Sequence, residues 1–132
     1  MSAIKLNLKV LRSNYAVCRL DPQSEVPSWA FQGDFYTVSK TQEELSIVCQ
    51  VMLVPSAIKA EKEWRVFKIE GPFAFTQIGI LNAVTSVLAS NGISLFAIST
   101  FDTDYILVKC LDLDRAIDAL RQAGHSVDDA YS

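Results

Sequence analysis

A chain of 132 residues, half hydrophobic and a fifth charged, carries enough apolar material for one globular core or two very small ones, with no need of metal or disulfides. Its formal net charge of -3 comes from 12 basic and 15 acidic residues, and Lys40, Lys59, Lys62, Arg65, Lys109 and Arg121 stand singly. That distribution argues against nucleic acid, whose binding rests on neutralised phosphates, and against a polybasic membrane anchor. Cys18, Cys49 and Cys110 are odd in number, far apart and set in apolar runs. They read as small core hydrophobes, with no C-x-x-C pair for zinc or redox work. No window is apolar for long enough to span a membrane, and no signal peptide is visible, so a cytoplasmic location is expected.

From Lys5 to Leu11, Leu6, Leu8 and Val10 alternate with polar residues, the period of a half-buried strand. Ser13-Asn14 breaks it, and Tyr15–Leu20 reads as a second strand. A loop follows from Pro22, with one helical turn at 27–31 between Pro27 and Gly33. Phe35–Lys40 and Leu45–Val51 are strands joined by the polar loop 41–44. Lys59–Glu63 is the most polar run and reads as a linker or exposed turn.

Strand alternation returns at 64–70, and Gly71-Pro72 interrupts it. Over 76–90, Ile80, Val84, Val87 and Leu88 recur at helical spacing, and Asn91-Gly92 supplies a left-handed stop. Strands at 95–101 and 105–110 flank a short turn at Asp102-Thr103. Asp112 or Asp114 then caps a helix carrying Leu113, Ala116, Ile117 and Leu120, which ends at Gly124. Val127 begins a last short strand. The second half is therefore β-α-β-β-α-β, the split pattern of an α+β ferredoxin-like fold. The first half has strands but only a stub of helix. We expect two ferredoxin-like units, 1–62 and 63–132, the first degenerate.

Two segments carry candidate chemistry. Ser99-Thr100-Phe101-Asp102-Thr103-Asp104-Tyr105 concentrates hydroxyls and carboxylates between two strands. It fits either turn chemistry, with side chains bonding their own backbone, or a ligand wall that receives an ammonium or guanidinium group. Gly71–Ile80 leads from a strand into a helix N-terminus, where free N–H groups favour an anion. Gly79 there either lets a ligand approach closely or serves helix–sheet packing. No phosphate-loop motif is present. His125, the only histidine, reads as exposed or as a helix-end group. No metal-ligand spacing and no nucleophile–base pair stand out, so neither catalysis nor a cofactor is expected.

The segments Ile78-Gly79-Ile80-Leu81, Leu88–Leu95, Ile98-Ser99-Thr100 and Asp104–Val108, in this element order, resemble an ACT domain. With Trp64-Arg65-Val66, Glu70-Gly71-Pro72 and the first-half strands, the likeness extends to small bacterial tandem-ACT proteins, and through them to CASTOR-type arginine sensors and aspartate kinase regulatory domains. The resemblance implies a regulatory module that binds a small amino-acid effector. Thr76, Ile78, Gly79, Ile80 and Leu81 would offer backbone groups to the effector, and Ser99, Thr100 and Asp104 side chains. It further implies a homodimer and a regulated protein partner. The alternative is an interaction or oligomerisation module without a small ligand, to which Trp29, Phe31, Phe73 and Phe75 in loop-like contexts would contribute.

Overall fold

The computed structural model describes residues 4–70 and 79–130. Its strands are β1 (Asn7–Val10), β2 (Tyr15–Leu20), β3 (Thr37–Lys40), β4 (Leu45–Gln50), β5 (Ala60–Ile69), β6 (Leu95–Ser99), β7 (Asp104–Lys109) and β8 (Ser126–Asp128). Two α-helices, α1 (Ile80–Ser90) and α2 (Leu113–Gln122), join them, with short 3₁₀ turns at Ser28–Phe31, Val51–Leu53 and Cys110–Asp112. The architecture is α+β, as expected.

The chain forms two compact units, Ser13–Trp64 and the combination of Met1–Arg12 with Arg65–Ser132. The expected cut assigned all of 1–62 to the first unit, and residues 1–12 depart from it. β1 pairs antiparallel with β5 (Leu8 opposite Ile69, Val10 opposite Phe67) and parallel with β8 (Leu8 opposite Val127). Its Leu6, Leu8 and Val10 enter one core with Phe67, Ile69, Val84, Leu88, Ile106, Val108, Ile117 and Leu120. Burial of those three side chains, not proximity in sequence, decides where the strand belongs.

In the larger unit β7 pairs with both β6 and β5, so its strand order is β6-β7-β5-β1-β8. The expected β-α-β-β-α-β order is present as β5-α1-β6-β7-α2-β8, with β1 inserted between β5 and β8. Both helices stop in the same way. At α1, Ile93 N–H reaches Leu88 O at 3.0 Å and Gly92 takes φ 71°. At α2, His125 N–H reaches Leu120 O at 3.1 Å and Gly124 takes φ 99°. These are left-handed glycine caps that satisfy the last carbonyls. Asp112 stands at the N-cap position of α2 without a side-chain bond to the helix backbone; its carboxylate pairs with Arg115 at 3.1 Å. Arg115 also donates to Asn91 O at 2.6 Å, tying a cation to the end of α1.

In the smaller unit the order is β3-β4-β2-β5, all antiparallel. Its core holds Ala16, Cys18, Ala30, Leu45, Ile47 and Cys49. The 41–44 hairpin closes through Thr41, whose Oγ1 accepts the Glu43 and Glu44 N–H groups at 3.1 Å. Lys59–Glu63, expected as a linker, is largely strand: β5 begins at Ala60, with Ala60 opposite Cys18 and Glu61 opposite Val17. Its polarity reflects exposure of Glu61, Lys62 and Glu63 on that strand.

Candidate functional site

The first turn of α1 is the better defined wall. Gly79 occupies the N-cap with φ 88° and ψ 4°, in the left-handed region that L side chains rarely adopt. Its carbonyl accepts the Ala83 N–H at 2.9 Å, so it starts the helix. No side chain caps that end, and the first turn holds no acidic residue. The N–H groups of this turn lack intrahelical acceptors, as at any helix start, and the helix dipole makes the end attractive to an anion. Ile80 buries its side chain in the core and Leu81 packs partly against it. Either residue would therefore meet a ligand only through its backbone. Thr76 and Ile78 lie outside the described residues, as do Phe73 and Phe75.

Ser99 and Asp104 close the β6–β7 hairpin as opposite partners, and the Ser99 hydroxyl donates to the Asp104 carboxylate. Thr100 N–H donates to Thr103 O at 2.8 Å, and its hydroxyl reaches the same carbonyl at 3.1 Å. Thr100 is thus engaged in the turn's own bonding. Asp104 keeps acceptor capacity beyond the bond from Ser99, because an ionised carboxylate offers about four lone-pair sites.

Chain reversal at Asn91–Ser94 sends β6 back alongside α1. Eleven helical residues and five extended ones both span about 16–17 Å, so the 99–104 turn comes to the same end of the unit as Gly79.

An open cavity of about 410 Å³ adjoins Gly79, lined by Ile4, Asn82, Ala83, Ser86, Val87, Ala123 and His125. Of the two expected readings of His125, exposure fails, since it is only 6% exposed, while its place at the end of α2 holds. Its Nδ1 accepts the Leu6 N–H at 3.1 Å, which leaves Nε2 to carry the proton toward Ala83 O at 3.3 Å. The ring joins β1, α1 and the start of β8. Sequence reasoning missed it because Gly124 and Ser126 beside it are exposed and small; only the step from a helix-ending glycine straight into a strand marks the position.

Among the described residues no three or more His, Cys, Asp or Glu side chains cluster as metal ligands, and no helix is long and apolar enough to cross a membrane.

The ACT domain family matches residues 59–122, and a second family, described as an N-terminal domain, matches 13–57. A protein of Agobacterium tumefaciens of known structure is 40% identical, with a TM-score of 0.94, over 98% of this chain and 97% of that one. The chain shares a family with the Agobacterium protein and carries an ACT domain. Two more distant structures share the fold. One is a Vibrio cholerae protein of unknown function described as a possible transport protein, with a TM-score of 0.72 and 16% identity over 91% of both chains. The other is the ligand-free regulatory subunit of aspartate kinase from Thermus thermophilus, with a TM-score of 0.59 and 10% identity over 92% of this chain and 95% of that one. No curated protein matches the chain. The ACT domain match covers β5 to α2 and so takes in Gly79–Leu81 and the Ser99–Asp104 hairpin, but not β1, which completes the sheet.

Proposed function

We propose that this protein is a regulatory module of the cytoplasm, without catalytic activity or cofactor, that binds a small amino acid as its effector. The observation that carries this reading is the start of α1: a left-handed glycine N-cap, no side-chain cap, and free N–H groups in an ACT domain. Such an end suits the α-carboxylate of a zwitterion. The Ser99–Asp104 pair, at the same end of the unit, suits the ammonium group. Thr76, Ile78, Gly79, Ile80 and Leu81 supply backbone groups to this site, and Ser99, Thr100 and Asp104 supply side chains. The module works as a homodimer and passes its state to a protein partner.

A thermal-shift screen of the twenty amino acids tests this reading. One or a few should raise the melting temperature, and calorimetry should return heat for the same compounds. Asp104→Ala should abolish both responses. A full screen with neither shift nor heat would overturn the proposal.

Exposed aromatic residues favour a second reading, an interaction module with no small ligand. Phe31 is 53% exposed and stacks edge-on with exposed Tyr36 at 6.2 Å. The ligand screen separates the two, and a monomer that still binds an amino acid counts against the interaction module.

A further inference from the structure

The open cavity beside Gly79 lies wholly within the larger unit, and its lining follows α1 from Gly79 to Val87, a rise of about 12 Å. That length accommodates an amino acid laid along the helix, carboxylate first. The apolar lining includes Ile4, Ala83 and Val87, and the polar lining is Asn82, Ser86 and His125. None of the described lining residues is Asp, Glu, Lys or Arg, and residues 71–78, ahead of α1 in sequence, contain none either.

The polar groups there are uncharged donors and acceptors with capacity to spare. His125 is 6% exposed, and with Nδ1 accepting the Leu6 N–H the ring presents Nε2–H to the cavity side. Its contact with Ala83 O, at 3.3 Å, is long for an N–H···O bond, so a closer acceptor would engage it better. The Ser86 hydroxyl donates to Asn82 O at 2.6 Å, which leaves its own lone pairs to accept. The Asn82 carboxamide offers both a donor and an acceptor.

We propose that this cavity receives the side chain of the effector and selects an uncharged one with a carboxamide tip, glutamine or asparagine. The assignment rests on the proposed amino-acid binding and narrows its class. In the strand order β6-β7-β5-β1-β8, the Ser99–Asp104 hairpin and the His125 entry to β8 lie on opposite sides of β5. With the α-carboxylate on the first turn of α1, the ammonium faces Asp104 and the side chain runs toward His125. Its methylene stem packs against Ile4, Ala83 and Val87. The carboxamide oxygen accepts the His125 Nε2–H, and the carboxamide N–H donates to Ser86 Oγ. A carboxylate, ammonium or guanidinium tip would lose its water there with no counter-charge in return. An aliphatic tip would strip water from the His125 and Asn82 donors without replacing its bonds.

Calorimetry and ring NMR on the full chain test the assignment. Glutamine or asparagine should bind at least about tenfold more tightly than glutamate, aspartate, leucine, lysine or arginine. His125 is the only histidine, so its ring nitrogen resonances report on the cavity directly, and the bound carboxamide should shift the Nε2 signal. Asn82 and Ser86 are exposed, and their variants should fold. Ser86→Ala should weaken glutamine several-fold, and Asn82→Asp should move the preference several-fold from glutamine toward lysine. If no amino acid binds at all, the amino-acid reading falls and this assignment with it. If one binds and Asp104→Ala abolishes it, an unmoved Nε2 signal, or affinity and preference unchanged in both cavity variants, overturns the cavity's role alone. A charged or aliphatic amino acid that binds best overturns the class.

Discussion

Glu63 takes φ 71°, the only non-glycine residue with a positive φ among the described residues. The cause lies in the pairing of β2 with β5. Tyr15 faces Trp64 and Val17 faces Glu61, so β5 carries one residue more than β2 between those pairs. The extra residue makes a β-bulge, whose left-handed position normally belongs to glycine. Glu63→Gly removes a side-chain penalty of about 1–2 kcal/mol and adds about 0.5–1 kcal/mol of unfolded-chain entropy. We expect a net gain of up to about 1.5 kcal/mol, read as a higher urea midpoint at unchanged slope. A lower midpoint would mean that Glu63 is held by its 3.5 Å contact with Asn14 more firmly than that distance implies.

The core thiols also set a pH dependence at this scale. Both Cys18 and Cys49 are raised in the folded chain by burial, Cys49 from 9.0 to about 11. Between those values the unfolded chain loses the proton while the folded chain keeps it, so stability falls as pH rises through that window. The slope from Cys49 is at most about 1.4 kcal/mol per pH unit. Urea melts at pH 8, 9 and 10 should show a shallower decline for Cys49→Ala than for the unmodified chain, and equal declines would refute the burial effect. The apolar neighbours of each cysteine made their burial legible in sequence. Their shared face was not, because it depends on the β2–β4 register.

At the scale of elements, nearly all strands and both helices could be read from periodicity and from their glycine stops. What could not be read is which strand neighbours which. Leu6, Leu8 and Val10 announce a one-sided strand, yet nothing local says that the side is shared with Phe67 and Val127, sixty and more than a hundred residues away. The same limit hid His125, whose partners Leu6 and Ala83 lie in two other elements. It also left the Ser99–Asp104 segment ambiguous: the hairpin was legible, but Thr100's engagement with Thr103 rests on the turn's detailed geometry. His125→Leu tests how much the bridging ring contributes. The substitution fills similar space but leaves the Leu6 N–H without its acceptor in a buried position, at a cost of about 1–3 kcal/mol. Hydrogen exchange at Leu6 should accelerate, and the β1–β8 amides should follow it. Unchanged exchange at Leu6 would show that the ring is packing material only.

For the whole molecule, the inserted β1 decides what can fold alone. The ACT domain match begins at residue 59, and residues 1–12 belong to the same compact unit as 65–132. A fragment of residues 59–132 keeps every element of β5-α1-β6-β7-α2-β8 but loses the strand between β5 and β8. It forfeits burial of Leu6, Leu8 and Val10, each worth about 1.5–3 kcal/mol, against a total stability of about 5–15 kcal/mol for a typical domain. It also uncovers Phe67, Ile69 and Val127 and strips the three-residue β8 of its strand partner. We expect this fragment to lack a cooperative melt and dispersed amide resonances. Joining residues 4–12 to its C-terminus by a flexible linker should restore both, because the contacts of β1 are side-chain and ladder contacts that do not depend on where the strand is tethered. A fragment that folds cooperatively without β1 would show that the strand covers the sheet without completing it, and would return the division between the two units to the neighbourhood of Lys62.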